Sequence, residues 1–529
     1  MRRREFLVGV AGFAGVAGAA GVAATARQSG ETRVLPSAAR ALAARLARDP
    51  LRPQYHLLPV ANWMNDPNGP IWWRGEYHMF YQYNPDGAYW GDMHWGHAVS
   101  ADMVRWRQLP VALAPTPGAA DSAGVFSGTA AVVDERVGGR VWMMYTGVRA
   151  VPEAEATIKN GARSLLETQC LAKSEDDSLR RWRKLGEPVI AAPPDGMRVN
   201  GFRDPSPWRV GEEWYLALGS GTRDRGGAVL LYRSRDLRRW EFLHVLAERA
   251  ESIAVPLAKP DVNEVWECPD FFALGEGAAR RHVLIYSTNG RSYWMSGRLD
   301  EATMRFAPEQ AGVLDYGAYY ASKTQRDATG RRILWGWIPE TRPLAEYKAA
   351  GWAGVMALPR VLTLDGQGWL QMQMADAVET LRGAEKRLQP TADRNHLARQ
   401  MAGMEIEGYS GELRCAASTA KDWELTLGQD GREPWLRVGS SSEKPDEILV
   451  NGQGIPASAA TGGNRDVSVW VDGSVMEVLV DGKAACTVRF YPDRETAERL
   501  VPRWTGEAAA LQGLSVSAME SISPDRLTR

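Results

Sequence analysis

A short motif recurs along the first half of the chain, each time after an apolar strand. Ser100-Ala101-Asp102 leads to Trp106, Ser174-Glu175-Asp176 to Trp182, and Ser234-Arg235-Asp236 to Trp240. Around it lie short runs rich in β-branched and aromatic residues and bounded by Gly, Asp or Pro, at 76–81, 141–145, 213–218 and 282–287. A unit that returns every several tens of residues in an all-β pattern predicts repeated four-stranded sheets. Such sheets pack radially as the blades of a β-propeller, with their inner strands around a central pocket. Distant stretches of sequence then meet at one point.

The blade pattern stops near Pro359-Arg360-Val361-Leu362. A chain of 529 residues suits two domains, and the reading divides it at that point. Residues 55–368 form the propeller, 369–387 a partly helical linker, and 388–525 a second all-β domain. The clearest part of the last is Asp466-Val467-Ser468-Val469-Trp470-Val471-Asp472-Gly473, followed by Val475 to Gly482. Alternating strands joined by Asp-Gly turns read as hairpins of a β-sandwich.

Residues 1–26 read as a twin-arginine signal peptide. Arg2-Arg3-Arg4 precedes a weakly apolar run from Val8 to Ala24, and Ala24-Thr25-Ala26 offers a small-residue cleavage site. Retention as a membrane anchor is the alternative. Cleavage predicts a periplasmic or extracellular protein, exported already folded and without membrane contact afterwards. The Ala/Arg-rich stretch 27–54 reads as a poorly packed lead-in with helical character around 38–47. A formal net charge of −1 gives no field that would favour nucleic acid or an anionic surface. Cys170, Cys268, Cys415 and Cys486 lack metal-ligand spacing, and folding before export needs no disulfides, so they read as buried free thiols.

Three acids stand in unusual surroundings: Asp66 in Trp63-Met64-Asn65-Asp66-Pro67-Asn68-Gly69, Asp204 in Phe202-Arg203-Asp204-Pro205, and Glu267 in Trp266-Glu267-Cys268-Pro269-Asp270. Each alone is compatible with a turn-capping carboxylate. Inner strands of different blades can bring all three to one funnel, and cleaving a glycosidic bond requires a pair of carboxyl groups. The 21 tryptophans fit the same idea, since flat aromatic faces pack against sugar rings, although core packing also uses them.

Taken in order, these motifs resemble glycoside hydrolase family 32, the invertases, inulinases and levanases. The resemblance runs from about Tyr55 to Tyr491 and includes Phe80-Tyr81-Gln82-Tyr83-Asn84-Pro85, Trp95-Gly96-His97, Phe126-Ser127-Gly128, Trp335-Gly336-Trp337, Gly351-Trp352-Ala353-Gly354 and Asp472-Gly473-Ser474-Val475-Met476-Glu477-Val478. It implies a five-bladed propeller followed by a β-sandwich. It also implies that Asp66 is the nucleophile, Glu267 the acid/base and Asp204 the transition-state stabiliser. Asn65, Gln82, Trp90, Phe126, Ser127, Arg203, Tyr320 and Trp337 are implied as substrate-binding residues. No cofactor or metal is called for, and His56, His94 and His97 read as structural. One departure is Lys323, where the family more often has glutamine. Aimed at the pocket it would alter the leaving-group subsite; aimed at solvent it would mean little.

The implied activity is hydrolysis of terminal β-fructofuranosyl units from sucrose or fructans through a covalent intermediate. A fructosyltransferase using the same site, an arabinan-degrading propeller enzyme and a non-catalytic fructan-binding protein are the alternatives. The sandwich serves either to cover the propeller or to bind polysaccharide. Substrate preference, exo or endo action and oligomeric state stay open.

Overall fold

The strand Asn62–Trp73 begins a meander with Glu76–Asn84, His94–Ser100 and Trp106–Leu113, and four further meanders follow it. Blade 2 runs through Gly124–Val133, Arg140–Ala150 and Ser164–Ser174, with Trp182–Lys184 and Ile158–Lys159 both paired to its third strand. Blade 3 comprises Val199–Val210, Glu213–Thr222, Gly226–Ser234 and Glu241–Glu248. Blade 4 comprises Glu267–Leu274, Arg281–Thr288, Arg291–Asp300 and Arg305–Val313. Blade 5 orders Tyr320–Arg326, Arg332–Ile338, Arg360–Leu364 and Leu370–Met374. The computed structural model describes residues 37–133, 139–159, 164–223, 225–249, 263–457, 463–492, 498–524 and 526–528. The signal-peptide reading of 1–26 lies outside them.

The recurring Ser-x-Asp unit is the turn between the third and fourth strands. Asp102 accepts from the backbone N–H of Val104 and Arg105, and Asp236 from those of Arg238 and Arg239. Three residues before each tryptophan the backbone turns left-handed, at Met103, Leu179 and Leu237, and each tucks an apolar side chain inward. Blade 4 makes a related turn without the sequence signature. Asp300 accepts from Ala302 N–H and the Thr303 hydroxyl, Met304 is left-handed, and Ala307 stands where tryptophan stood in the other turns.

The segment after blade 5's second strand closes the ring. Trp352–Ala353 pairs in parallel with the first strand of blade 1, and Val355–Met356 pairs with blade 5. Gly354 joins them at φ +78°, and a Cβ there would stand 1.9 Å from the Met64 carbonyl oxygen. No other residue fits.

Two six-stranded sheets form the sandwich. One orders Arg382–Arg387, Leu511–Met519, Ser410–Ser418, Asn464–Asp472, Val475–Val480 and Ala484–Arg489. The other orders Ile406–Glu407, Arg499–Gly506, Trp423–Gly428, Leu436–Ser440, Glu447–Val450 and Gln453–Pro456. Inward residues such as Leu413, Leu425, Val438, Val469, Val478 and Val516 fill the space between them. The four cysteines are buried and free.

Two segments differ from their sequence reading. Within 369–387, Leu370–Met374 is the outer strand of blade 5 and Arg382–Arg387 is a strand of the sandwich, leaving 375–381 between them. Leu370 and Met372 alternate with glutamines and face the core, which is strand periodicity in a run too short to stand out. The described part of the lead-in is packed. Its helix Ser37–Ala47 buries Ala43 and Leu46 in one apolar cluster with Leu51, Tyr55 and Trp352, and Asp49 accepts from the Trp352 indole at 3.0 Å.

A buried polar network joins the two domains. Asp472 of the sandwich accepts from the backbone N–H groups of Gln54, Tyr55 and His56 and from His56 Nδ1. His56 Nε2 lies 3.0 Å from Glu477, which also takes Leu358 N–H and the Arg360 guanidinium. Arg360 reaches on to Asp315, which binds Thr487. Burial works against the charge on His56, but its hydrogen bonds to Asp472 and Glu477 outweigh it and lift the group from 6.5 to about 9. A value raised on folding contributes stability in full below about 6.5, and that stability is lost as pH rises through 9. The window is worth at most about 3 kcal/mol. Urea midpoints of the natural chain should therefore fall more between pH 6 and pH 10 than those of His56→Gln. Equal slopes for the two would remove His56 from the account.

Candidate active site

The innermost strand of every blade breaks its ladder at one level. Register shifts fall between Met64 and Pro67, Val125 and Gly128, Arg203 and Ser206, Glu267 and Asp270, and Tyr320 and Lys323. A bulge adds a residue, bends the strand and re-aims side chains. Three of the five hold a non-glycine residue at positive φ: Asp204 (67°), Cys268 (49°) and Ala321 (54°). Such backbone persists where neighbours over-determine it. Here Asp204 N–H donates to Thr146 Oγ1 at 2.9 Å, Cys268 N–H to Asp204 Oδ2 at 2.8 Å, and Ala321 N–H to Ser287 Oγ at 3.0 Å.

The bulges bring the three acids together. Cys268 Sγ lies 3.5 Å from Asp66 Oδ2 and 3.6 Å from Asp204 Oδ2, and its chain neighbour is Glu267. Both oxygens of Asp66 are held: Asn65 Nδ2 donates to Oδ1 at 3.0 Å and Ser127 Oγ to Oδ2 at 2.7 Å. Asn65 is itself fixed by the Trp63 indole at 2.7 Å. Arg203 places Nε and Nη2 on Glu267 Oε1 at 3.1 and 2.9 Å, and the Tyr320 hydroxyl donates to Oε2. The Glu267 side chain is 31% exposed, so it opens onto the funnel.

Charge is crowded here. Burial raises Asp66, hydrogen bonds from Ser127 and Asn65 oppose it, and the Glu267 charge adds to it. Burial also leads at Asp204, where Arg203 opposes and Glu267 and Asp66 reinforce, leaving it at about 7. Burial, and then the Glu267 carboxylate, raise the Tyr320 phenol well above its usual range, so it stays a donor.

The remaining pocket residues separate into walls and supports. Trp90, 42% exposed, meets Phe126 edge-on at 5.8 Å. Trp337 packs against Tyr320 at 6.5 Å and Trp63 at 5.9 Å, and its indole N–H finds no acceptor among the described residues. Gln82 is buried and donates from Nε2 to the Val125 carbonyl of blade 2 at 2.9 Å, tying the first two blades together beside the pocket. Lys323 takes neither direction offered by the sequence. It is 1% exposed and donates to the Pro269 carbonyl at 2.8 Å, tying blade 5 to blade 4 behind the site. The histidines do not converge: His56 joins the domain interface, His97 pairs with His78 at 3.0 Å, and His94 contacts the Asp92 carbonyl.

Sequence reasoning passed over a supporting set from blade 2. Thr146 holds the Asp204 amide, Gln169 bonds Thr146 and the Phe202 carbonyl, and Glu167 bonds Phe202 N–H and Arg203. The Glu167-Thr168-Gln169 polar run inside an otherwise apolar strand was the available signal.

A family model described as glycosyl hydrolases family 32 N-terminal domain matches residues 56–373. A sucrose-6-phosphate hydrolase of Escherichia coli is 34% identical over 472 residues, spanning 84% of this chain and 90% of its own. Among solved structures, a variant of a Bombyx mori β-fructofuranosidase in complex with sucrose superposes with a TM-score of 0.71 at 28% identity, over 92% of this chain and 98% of that one. A variant of fructan 1-exohydrolase IIa from Cichorium intybus in complex with 1-kestose gives 0.70 at 26% identity, over 89% and 98%.

Proposed function

The chain belongs to glycoside hydrolase family 32, and from that premise we propose that it is an exported, retaining β-fructofuranosidase that releases terminal fructose from sucrose or short fructans. The observation that carries this reading is the meeting of Asp66, Asp204 and Glu267 around Cys268. Asp66, with both oxygens fixed, attacks the anomeric C2 and forms a fructosyl-enzyme. Glu267 gives its proton to the departing oxygen and then takes one from the incoming water. Its three donors match the ionised form that acts as base; in the first step the proton sits on Oε2 and the Tyr320 hydroxyl turns to accept. Asp204 accepts hydrogen bonds from fructose hydroxyls and supports the oxocarbenium-like transition state. No step needs a cofactor. Among the described residues no helix is long and apolar enough to cross a membrane; export rests on the twin-arginine reading of residues 1–26.

Chromatography of products from sucrose, 1-kestose, inulin and levan tests the proposal. Free fructose, with sucrose and 1-kestose consumed fastest, is the expected result, and NMR should show the β-anomer first. Longer fructosyl oligomers with little free fructose would make the protein a transferase. Initial release of the α-anomer would end the retaining mechanism.

A further inference from the structure

Glu167 belongs to blade 2, yet its carboxylate sits beneath the site in blade 3. It is 0% exposed, accepts Phe202 N–H at 2.8 Å with one oxygen, and Arg203 Nη1 at 2.7 Å with the other. The remaining edge of that guanidinium, Nε and Nη2, lies on Glu267. Arg203 is thus a bridge between a closed carboxylate and the one that opens onto the funnel; its own side chain is 16% exposed. The bridge has little room to move. A Cβ on Gly201 would stand 2.6 Å from Arg203 Nη1 and 3.0 Å from Val265, so glycine is needed for the guanidinium to pass.

We propose that Glu167 is a positioning residue for the acid/base: it fixes the Arg203 guanidinium and takes part of its charge, so that Glu267 can hold a proton while still being oriented by arginine. A bare guanidinium with two donors on a carboxylate strongly favours the ionised form, which cannot protonate a leaving group. A second, buried carboxylate on the same cation weakens that pull without removing the two hydrogen bonds that aim Glu267. Burial works against the Arg203 charge; Glu167 first, then Glu267 and Asp204, hold it well above the usual arginine range. The inference rests on Glu267 acting as acid/base.

The test is the pH profile of kcat/KM for sucrose, beside an aryl β-fructofuranoside whose acidic leaving group needs little protonation. In Glu167→Gln the anion is gone, and the alkaline limb for sucrose should move down by about one pH unit. At pH 7 sucrose turnover should fall about tenfold while the aryl substrate falls about twofold or less. Glu167→Asp keeps the charge and should keep the limb near its natural position at lower kcat, as a check that does not depend on how well Glu167→Gln folds. Equal losses on both substrates with unmoved limbs would reduce Glu167 to a structural role. A limb that moves as far in Glu167→Asp as in Glu167→Gln would also overturn charge sharing. Failure of the underlying reading looks different: the natural chain itself would release no fructose, or Glu267→Gln would lose both substrates equally.

Discussion

Asp66→Ala should lower fructose release from sucrose on the order of 10⁵-fold, with the fold intact. The size follows from the role proposed for the residue. Removing a covalent nucleophile takes away the two-step path itself, and what survives is the contribution of binding and of the other charged groups. The surroundings sharpen the expectation. Ser127 and Asn65 hold the two oxygens, so no neighbouring carboxylate can swing into the vacated place. Asp204 is tied through Oδ2 to the Cys268 amide, and Glu267 through Oε1 to Arg203. Truncation also leaves a small cavity beside C2, which azide can enter. Azide should restore turnover of the aryl fructofuranoside in Asp66→Ala and give the fructosyl azide of inverted configuration. A variant that keeps activity within tenfold of the natural chain would show that Asp66 is not the nucleophile.

The second large effect concerns stability. Arg360→Met should cost about 3–5 kcal/mol, the range for breaking a buried ion pair from one side. Arg360, Asp315 and Glu477 have fully buried side chains, and the guanidinium is the link between them. Methionine fills much of the space but leaves two carboxylates facing each other without their cation. His56 still touches Glu477, which keeps the cost from growing further. An exposed pair gives the comparison: Arg437 with Glu433 should cost under about 1 kcal/mol when broken. Urea unfolding followed by fluorescence and by activity would measure both. If Arg360→Met unfolds at the same midpoint as the natural chain, the network is not what joins the domains. If activity and fluorescence part company, the sandwich has come away first.

The acids were legible because their strands carry a local mark. Pro67 borders one bulge, while Pro205 and Pro269 lie within two others, where a missing backbone N–H costs the ladder nothing. An acid next to a proline in a β-rich chain therefore signals a broken ladder as well as a turn. The Trp turns were legible for the same local reason, and blade 4 escaped because Ala307 and Arg298 replace the tryptophan and the serine and erase the signature while the geometry remains. Glu167, Thr146 and Gln169 could not be found this way. They act on the next blade, and nothing in their own strand says which neighbour they will face. Lys323 shows the limit most clearly. Both directions offered by its sequence assumed an open side, and the actual one is a carbonyl on another blade. The strand Leu370–Met374 was missed because five residues with glutamine at alternate places carry little periodicity until they are seen paired.

The closing segment also sets a timetable. The strand that carries Asp66 begins at Asn62, and the strand that pairs with its open side begins at Trp352, about 290 residues later. At usual elongation rates of ~5–20 residues per second, the ribosome needs roughly 15–60 s to deliver it. Blades 2, 3 and 4 are meanders whose partners emerge in succession, so they can form while the chain is still growing. Blade 1 is a meander too, but the inner edge of the strand that carries Asp66 stays without this partner until Trp352 arrives. The clamp from Asp472 onto residues 54–56 comes later still. A nascent chain stalled before Trp352 would hold all three acids and most of the propeller's strands, but not the segment that closes the ring beside Asp66.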